Sequence, residues 1–212
     1  MSLTVKAGGG NFVPVSQNVH MAVCVGLYDL GTQFVQFRDK DKHLHKCLIM
    51  WEIPGERIDI EKDGATLNLP RVISKEYTVS LDDRANLYKD LMGWRGLPFT
   101  DEELKCFDLK NILGKSCQLQ VIHKKTEKGV YANIFAIMPF PRGMKKLEPE
   151  APLKFYSIQD NGMVTPEGTP QWIIDKIKRA EEFTQIASGG GDDEPPPIES
   201  DQGQPADENV PF

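Results

Sequence analysis

The chain has 212 residues, of which 40% are hydrophobic, a composition typical of a protein that buries a core. No apolar run reaches the roughly 18 residues of a membrane-spanning helix, and Met1–Lys6 lacks the charged-then-apolar order of a signal peptide, so we expect a cytoplasmic protein. The formal net charge is −6, and the excess of negative charge lies in residues 187–212, which contain seven acidic side chains and no Lys or Arg. The preceding 186 residues carry 24 acidic and 25 basic side chains, so charge does not exclude a nucleic-acid ligand there.

Three β-strands are predicted in the first 80 residues. Alternating apolar residues over Val19–Leu27 predict a strand with one buried face. We expect Leu30–Thr32 to end that strand. A second strand is predicted over Cys47–Ile53 and stopped by Pro54-Gly55, and a third over Thr66–Val79.

Helical patterns follow these strands. Leu81–Asp83 is predicted to cap a helix over Arg84–Met92, with Leu87 and Leu91 on one face. Thr100–Glu103 has the form of a capping box and opens a short helix. Asp108–Leu113 is predicted to add another helical turn before a glycine ends it.

Strands return in the second half of the chain. Cys117–Val121 alternates, and Lys124–Gly129 is predicted to be a polar hairpin loop. The next strand has a predicted inward face made of alternate residues, namely Val130, Ala132, Ile134, Ala136 and Met138. Thr169-Pro170 begins a predicted C-terminal helix over about residues 170–184, because proline is favoured at the first helical position.

Neither the cysteines nor the histidines predict a metal site. The four cysteines are widely spaced and lie within or beside apolar runs, so we expect small buried side chains: Cys24, Cys47, Cys106 and Cys117. His43 and His45 would point to opposite faces of a strand. We therefore expect no disulfide, no metal and no other cofactor.

Motifs of catalysis are also lacking in the sequence. It contains no Walker-type, dinucleotide-binding or nucleophile-elbow motif. Acidic groups at Asp82-Asp83 and Asp101–Glu103 occupy predicted helix N-termini, where carboxylates stabilise the helix dipole. We expect a protein that is not an enzyme.

The acidic segment 187–212 is predicted to be disordered. It contains Gly189–Gly191, Pro195–Pro197 and few large apolar residues, so it cannot bury enough surface to offset the entropy of ordering. Its last residues, Val210-Pro211-Phe212, are apolar. Such a tip predicts docking into a pocket on a partner protein, whereas a plain acidic tail would serve only solubility.

The tip Asp207–Phe212 resembles the acidic, Pro-Phe-ending tip of bacterial single-stranded-DNA-binding proteins, and phage proteins with acidic tails ending in an aromatic residue are similar. Before the tail, the segment Phe107–Lys115 resembles a recurring sequence segment of a phage type of these proteins. The resemblance implies an OB-fold core, single-stranded DNA as ligand in replication, recombination and repair, and a bacterial host cell. It also implies docking of replication or recombination proteins and a possible homo-oligomer. The docking residues would be Asp207, Glu208, Val210, Pro211 and Phe212.

The expected fold is mainly β with helical insertions. About five strands with an inserted helical segment suit an OB-fold-like small barrel, carrying a C-terminal helix and the disordered tail. The predicted division is a DNA-binding domain over residues 1–186 and a tail over 187–212. An α+β sandwich is the alternative.

Single-stranded DNA requires cations for phosphates and flat side chains for bases. Two stretches, one from Phe34 to Lys46 and one from Lys124 to Phe135, supply both. Each has an alternative explanation that involves no DNA. The first stretch could be a solvated hairpin turn, and the aromatics of the second could pack against the C-terminal helix. Weaker phosphate contacts are predicted at Trp94-Arg95 and at Arg142 with Lys145-Lys146, while Trp51 is predicted to lie in the core. The predicted DNA-binding residues are Phe34, Phe37, Arg38, Lys40, Lys42, His43, His45 and Lys46 in the first stretch, and Lys124, Lys125, Lys128, Tyr131 and Phe135 in the second.

Two other functions fit the same sequence features. A strand-annealing or recombination-mediator protein would share the DNA binding. A replication adaptor would use only the tip to recruit enzymes. Salt-dependent binding to oligo-dT separates both DNA-binding functions from the adaptor.

Overall fold

The structure, a computed structural model, describes residues 13–37, 40–62, 64–127 and 129–187. Within these ranges no helix is both long enough and apolar enough to cross a membrane. A 3-10 turn covers Leu109–Ile112. The strands are β1 (Val19–Phe37), β2 (Lys40–Lys62), β3 (Ala65–Thr78), β4 (Ser116–Thr126), β5 (Gly129–Pro139) and β6 (Lys154–Tyr156). The helices are α1 (Asn86–Arg95), α2 (Asp101–Cys106), α3 (Ile158–Asn161), α4 (Gln171–Ile177) and α5 (Glu181–Ala187).

The protein is mainly β, as the sequence predicts, and its strands form one open sheet. The main path runs β3-β2-β1-β4-β5 and is antiparallel throughout, while β6 pairs with β1 in parallel. Only the first residues of β1 pair with β4, and the remainder pairs with β2. The two ends of the path approach each other where Lys75 Nζ on β3 donates to the Ile134 carbonyl on β5 at 3.3 Å.

Two expected strand ends are wrong, because bulges stand at those positions. Gly31 has a φ of 67° at a register shift, and β1 continues past it to Phe37. A second shift lies between Ile53 and Arg57, so β2 passes Pro54-Gly55 and continues to Lys62. A bulge absorbs extra residues, three of them (54–56) in β2, and bends the strand without ending its pairing.

The expectation of one buried face on β1 is also wrong, since both faces are covered. Ala22 and Cys24 lie in the main core, while Tyr28 and Leu30 belong to a second cluster on the opposite face. The C-terminal segment covers that face with Tyr156, Ile173 and Ile177. These residues lie more than a hundred positions away in sequence, so no local pattern reveals the cover.

The main core confirms several predicted side chains. Trp51 is completely buried, with its ring centroid 5.8 Å from that of Trp94. Burial raises the pKa of Cys24 to about 12. Cys47 and Cys117 are also buried, whereas Cys106 is exposed on α2 and contradicts the expectation.

The helical segment between β3 and β4 closes the core. Leu87 and Leu91 are buried on α1, as predicted. The capping box of Thr100 and Glu103 is also confirmed at the start of α2. On β5 the predicted inward face is only partly right. A register shift between Ile134 and Ala136 makes Ile137 the next buried residue in place of Ala136 and Met138, and Val130 is exposed.

The single predicted C-terminal helix is instead two helices, α4 and α5. The chain turns between them through 3-10-type bonds, such as Ala180 N–H to the Ile177 carbonyl at 3.0 Å. This turn places the buried Ala180 against Gly31. A β-carbon at position 31 would lie 2.6 Å from that of Ala180, so the absence of a side chain at Gly31 allows the close approach.

Candidate nucleic-acid interface

The first predicted stretch is a paired hairpin rather than an open loop. β1 and β2 remain in register up to the pair Phe37 and Lys40. Phe34 lies opposite His43, with ring centroids 5.6 Å apart in an edge arrangement. Because Phe34 is 57% exposed, part of its ring is available to a ligand.

Carboxylates of α5 lie against this hairpin. The Glu181 carboxylate contacts His43 Nδ1. Glu182 accepts from the backbone N–H of Thr32 at 3.0 Å and from its hydroxyl at 2.8 Å. These carboxylates reduce the positive potential that the lysines of the hairpin create. No local sequence pattern points to these carboxylates, because they lie more than a hundred residues from the hairpin in sequence.

His45 is held by an acid from its own sheet. Its Nε2 lies 2.8 Å from Asp29 Oδ1. The hydrogen bond that His45 donates to the Asp29 carboxylate raises the pKa of His45 above its ordinary value. Burial alone would raise the pKa of Asp29, but the bonds from His45 and from the Gly31 N–H outweigh burial and hold that pKa low. The His45 ring is therefore held by the Asp29 carboxylate, which makes it a poor phosphate ligand.

Replacing Asp29 with asparagine is expected to lower the pKa of His45, because the charged hydrogen-bond acceptor is removed. Since this pKa is raised in the folded state, the His45 contribution to stability is present at low pH and is lost as pH rises through the folded pKa. Histidine NMR titration of the Asp29→Asn variant measures the change. An unchanged His45 titration would show that the contact with Asp29 does not set its pKa.

The other residues of the first stretch are less concentrated than predicted. Lys46 Nζ donates to Thr78 Oγ1 at 3.0 Å, so it is directed toward β3. Lys40 is exposed, and Lys42 is half-buried on β2. Arg38 and the side chain of Phe37 lie outside the described residues.

The second predicted stretch forms an exposed aromatic surface on the β4–β5 hairpin. Tyr131 and Phe135 are 44% and 57% exposed. Lys124 lies directly opposite Tyr131, and Asn133 stands between the two aromatics on the same side of β5. We call these four residues the β4–β5 surface. Lys125 lies opposite Val130 and faces the other side, while Lys128 lies outside the described residues.

The β4–β5 surface is not covered by the C-terminal helices, which was the alternative for its aromatics. Helices α4 and α5 pack against β1 instead. Helix α1 contacts β5 near Ile137, where a side chain at Gly93 would meet the Ile137 carbonyl at 2.5 Å. Tyr131 and Phe135 consequently present their rings to solvent.

The two predicted stretches lie toward opposite ends of β1. The β1–β2 turn follows Phe37, whereas β4 pairs with β1 only near Val19 and extends beyond it. Past Val19, Val121 N–H donates to the Asn18 carbonyl at 2.8 Å, and His123 Nε2 contacts the Val15 carbonyl at 2.8 Å. The pairing therefore does not join the two stretches into one patch.

Of the residues predicted to make weaker phosphate contacts, some are already buried or paired and others are exposed. Trp94 is buried and its Nε1 donates to the Ser116 carbonyl at 3.0 Å. Arg95 binds Glu103 at 2.6 Å, so its charge is already paired. Arg142 and Lys146 are exposed.

In the part of the chain that the structure describes, no group of three or more His, Cys, Asp or Glu side chains is placed to hold a metal ion. Comparisons of the chain with protein-family models, with curated proteins and with solved structures found no match.

Proposed function

We propose that this protein binds single-stranded DNA without sequence preference and coats it during replication, recombination and repair of a phage or bacterial genome. It acts as a binding protein rather than an enzyme. The observation that carries the proposal is the pair of exposed aromatics, Tyr131 and Phe135, with Lys124 opposite Tyr131. Sequence-tolerant binding needs this combination, since every base has a π-face and every nucleotide a phosphate.

The strand order supports an OB-fold as the scaffold. In that fold a five-stranded, partly open Greek-key barrel binds oligonucleotides with its second and third strands and with the loops that follow strands 1 and 4. Here β1, β2 and β3 are consecutive neighbours, helices intervene before β4, and β4 returns to β1. The contact of Lys75 with Ile134 brings β3 toward β5, as closure of such a barrel requires.

Between the two hairpins, the β4–β5 surface is the better candidate for the bases. Glu181 and Glu182 oppose the β1–β2 hairpin, and phosphates would be repelled by these acids. The β4–β5 surface contains no carboxylate among its four residues. Stacking on its two rings contributes roughly 1–3 kcal/mol per base, which is sufficient for useful affinity when two bases stack.

A mobility-shift titration with single- and double-stranded oligonucleotides tests the proposal. At low salt the protein is expected to shift oligo-dT at much lower concentration than a duplex, because paired bases cannot stack on Tyr131 or Phe135. Binding should weaken steeply as salt is raised, since phosphate contacts release counterions. If the protein does not shift oligo-dT at low salt, the proposed function is wrong.

The acidic segment 188–212 lies outside the described residues, including the tip Asp207–Phe212. We propose that its seven carboxylates compete with DNA for the basic residues of the body, while the tip docks partner proteins. Deleting residues 188–212 is then expected to raise oligo-dT affinity about tenfold at low salt and less at high salt, where screening is stronger. Fluorescence anisotropy at two salt concentrations measures both effects.

Phe212→Ala is the matched control for this deletion. It retains all seven acidic residues and removes only the apolar end. We expect its oligo-dT affinity to equal that of the intact protein while partner docking is lost. Equal or weaker DNA binding by the truncated protein would contradict competition by the tail.

A further inference from the structure

Glu52 on β2 is a buried acid that base stacking does not use. Its side chain is completely buried, and both carboxylate oxygens accept hydrogen bonds from the backbone. Oε1 accepts from the Glu150 N–H at 2.9 Å, and Oε2 accepts from the Ala151 N–H at 2.8 Å. A buried carboxylate is costly unless such bonds satisfy it. Glu52 is therefore committed to holding the chain at residues 150–151.

The segment that Glu52 holds connects β5 to β6. It covers residues 140–153, all of which the structure describes, and it contains neither a helix nor a strand. We call this segment the strap. A second bond fixes it, because the Leu147 N–H donates to Ser116 Oγ at 3.0 Å. Long irregular connections are mobile unless they are tied to the body of a domain, so these bonds give the strap a defined position.

The strap crosses the outer side of the sheet. Val23 on β1 pairs with Ser116 on β4 and with Glu52 on β2, so these three side chains share one side of the sheet. The neighbouring side chains of Cys24 and Cys117 lie in the main core, on the other side. The strap consequently passes over β4, β1 and β2 on the side that is directed away from the main core.

The β4–β5 surface lies on this same outer side. Alternation along β4 places Ser116 and Lys124 on one side of the strand, opposite its buried residues. Tyr131 pairs with Lys124 and is exposed. At about 3.4 Å per residue, Ser116 and Lys124 are roughly 27 Å apart along the strand. A continuous surface therefore runs along β4 and β5, with Lys124 and Tyr131 at one end and the strap at the other.

The strap supplies cations at its end of this surface. Arg142 and Lys146 are exposed, and among the residues that the structure describes neither has an acidic partner. The acids of the strap already have cationic partners, namely Lys145 for Glu148 at 3.3 Å and Arg57 for Glu150 at 2.6 Å. The charges of Arg142 and Lys146 are thus available to phosphates.

We propose that Glu52 is the positioning residue for a phosphate-binding end of the DNA surface, formed by Arg142 and Lys146 on the strap. The single strand then runs along β4 and β5, with bases on Tyr131 and Phe135 and with phosphates that continue onto the strap. Glu52 does not touch the DNA, since it acts through the position of the strap. The inference rests on the proposed function, because it extends the same surface for the same ligand.

Replacing both Arg142 and Lys146 with alanine is expected to weaken oligo-dT binding about tenfold at low salt. The slope of log affinity against log salt should also become shallower by about 1.4, since each phosphate contact of a single strand contributes about 0.7. The matched control is Lys89→Ala combined with Lys105→Ala, which removes two exposed charges from the helical segment that closes the core. Its affinity and slope should match those of the intact protein.

Glu52→Gln tests the positioning role. Glutamine offers one acceptor oxygen where Glu52 offers two, and its amide group would place a donor against a backbone N–H. We expect a loss of oligo-dT affinity of about tenfold and a loss of hydrogen-exchange protection at the Glu150 and Ala151 amides. In the Glu52→Gln background, the alanine substitutions at Arg142 and Lys146 should cost less than about twofold, because a released strap no longer presents these cations.

Thermal melting checks that each variant folds. If Glu52→Gln does not fold, Ser116→Ala takes its place in the double-mutant cycle, because it removes the other bond that holds the strap, and it should weaken binding in the same direction. Wild-type affinity of the folded positioning variant overturns this inference alone. Equal losses from the Arg142 and Lys146 substitutions in both backgrounds do the same, since Glu52 would then be only structural. Failure of the intact protein to bind oligo-dT overturns the proposed function and the inference together.

Discussion

Replacing both Tyr131 and Phe135 with alanine is expected to weaken oligo-dT binding by at least about 30-fold, because each stacked base contributes roughly 1–3 kcal/mol. The two rings are exposed on one side of β5. Their removal creates no cavity in the core, so the free energy of unfolding should change little. Anisotropy titrations at fixed low salt measure the loss.

Two further variants separate stacking from a general effect on β5. Val130→Ala truncates an exposed residue of the same strand on the opposite side, and we expect wild-type affinity. Tyr131→Phe keeps the ring and should also retain binding. If the double alanine variant bound oligo-dT as tightly as the intact protein, the β4–β5 surface would not be the stacking site.

The second large effect is expected at Gly31, where alanine should destabilise the fold by about 3 kcal/mol. The residue has a φ of 67°, a conformation that side chains disfavour. An added β-carbon would also lie 2.5 Å from Ile158 Cδ1 and 2.6 Å from the β-carbon of Ala180. Relief requires the C-terminal segment to move away from β1.

Urea denaturation of Gly31→Ala measures the loss, and Gly55→Ala is the control. A β-carbon at Gly55 meets no atom within 4 Å, so that variant should match or slightly exceed wild-type stability. Movement of α5 would also separate Glu182 from Thr32, and the protection of the Thr32 amide from hydrogen exchange should fall. A Gly31→Ala variant with wild-type stability would contradict the tight packing inferred there.

Local patterns predict the strands well but not their ends. The alternation of side chains around Val23 and Ile49 identifies β1 and β2, because successive side chains of a strand point to opposite faces of the sheet. Gly31 and Pro54-Gly55 are typical of turns in isolation. Whether such residues end a strand or form a bulge depends on the partner strand, which the local sequence does not specify.

The same limit applies to the candidate interface. The side of β5 that carries Tyr131 and Phe135 follows from period-two alternation, and the structure places both rings in solvent. The pairing of His43 with Glu181 joins residues 138 positions apart. No local signal reveals such a contact, so the β1–β2 hairpin is more cationic in sequence than it is in the fold.

Ultraviolet cross-linking of the intact protein to oligo-dT, followed by mass spectrometry of the peptides, tests the central claim most directly. The account predicts cross-links at Tyr131 or Phe135, with a weaker contribution from Phe34 on the β1–β2 hairpin. Competition by unlabelled single-stranded DNA should abolish these cross-links, and equal duplex should not. No cross-link, or cross-links confined to residues away from the β4–β5 surface, would contradict the account.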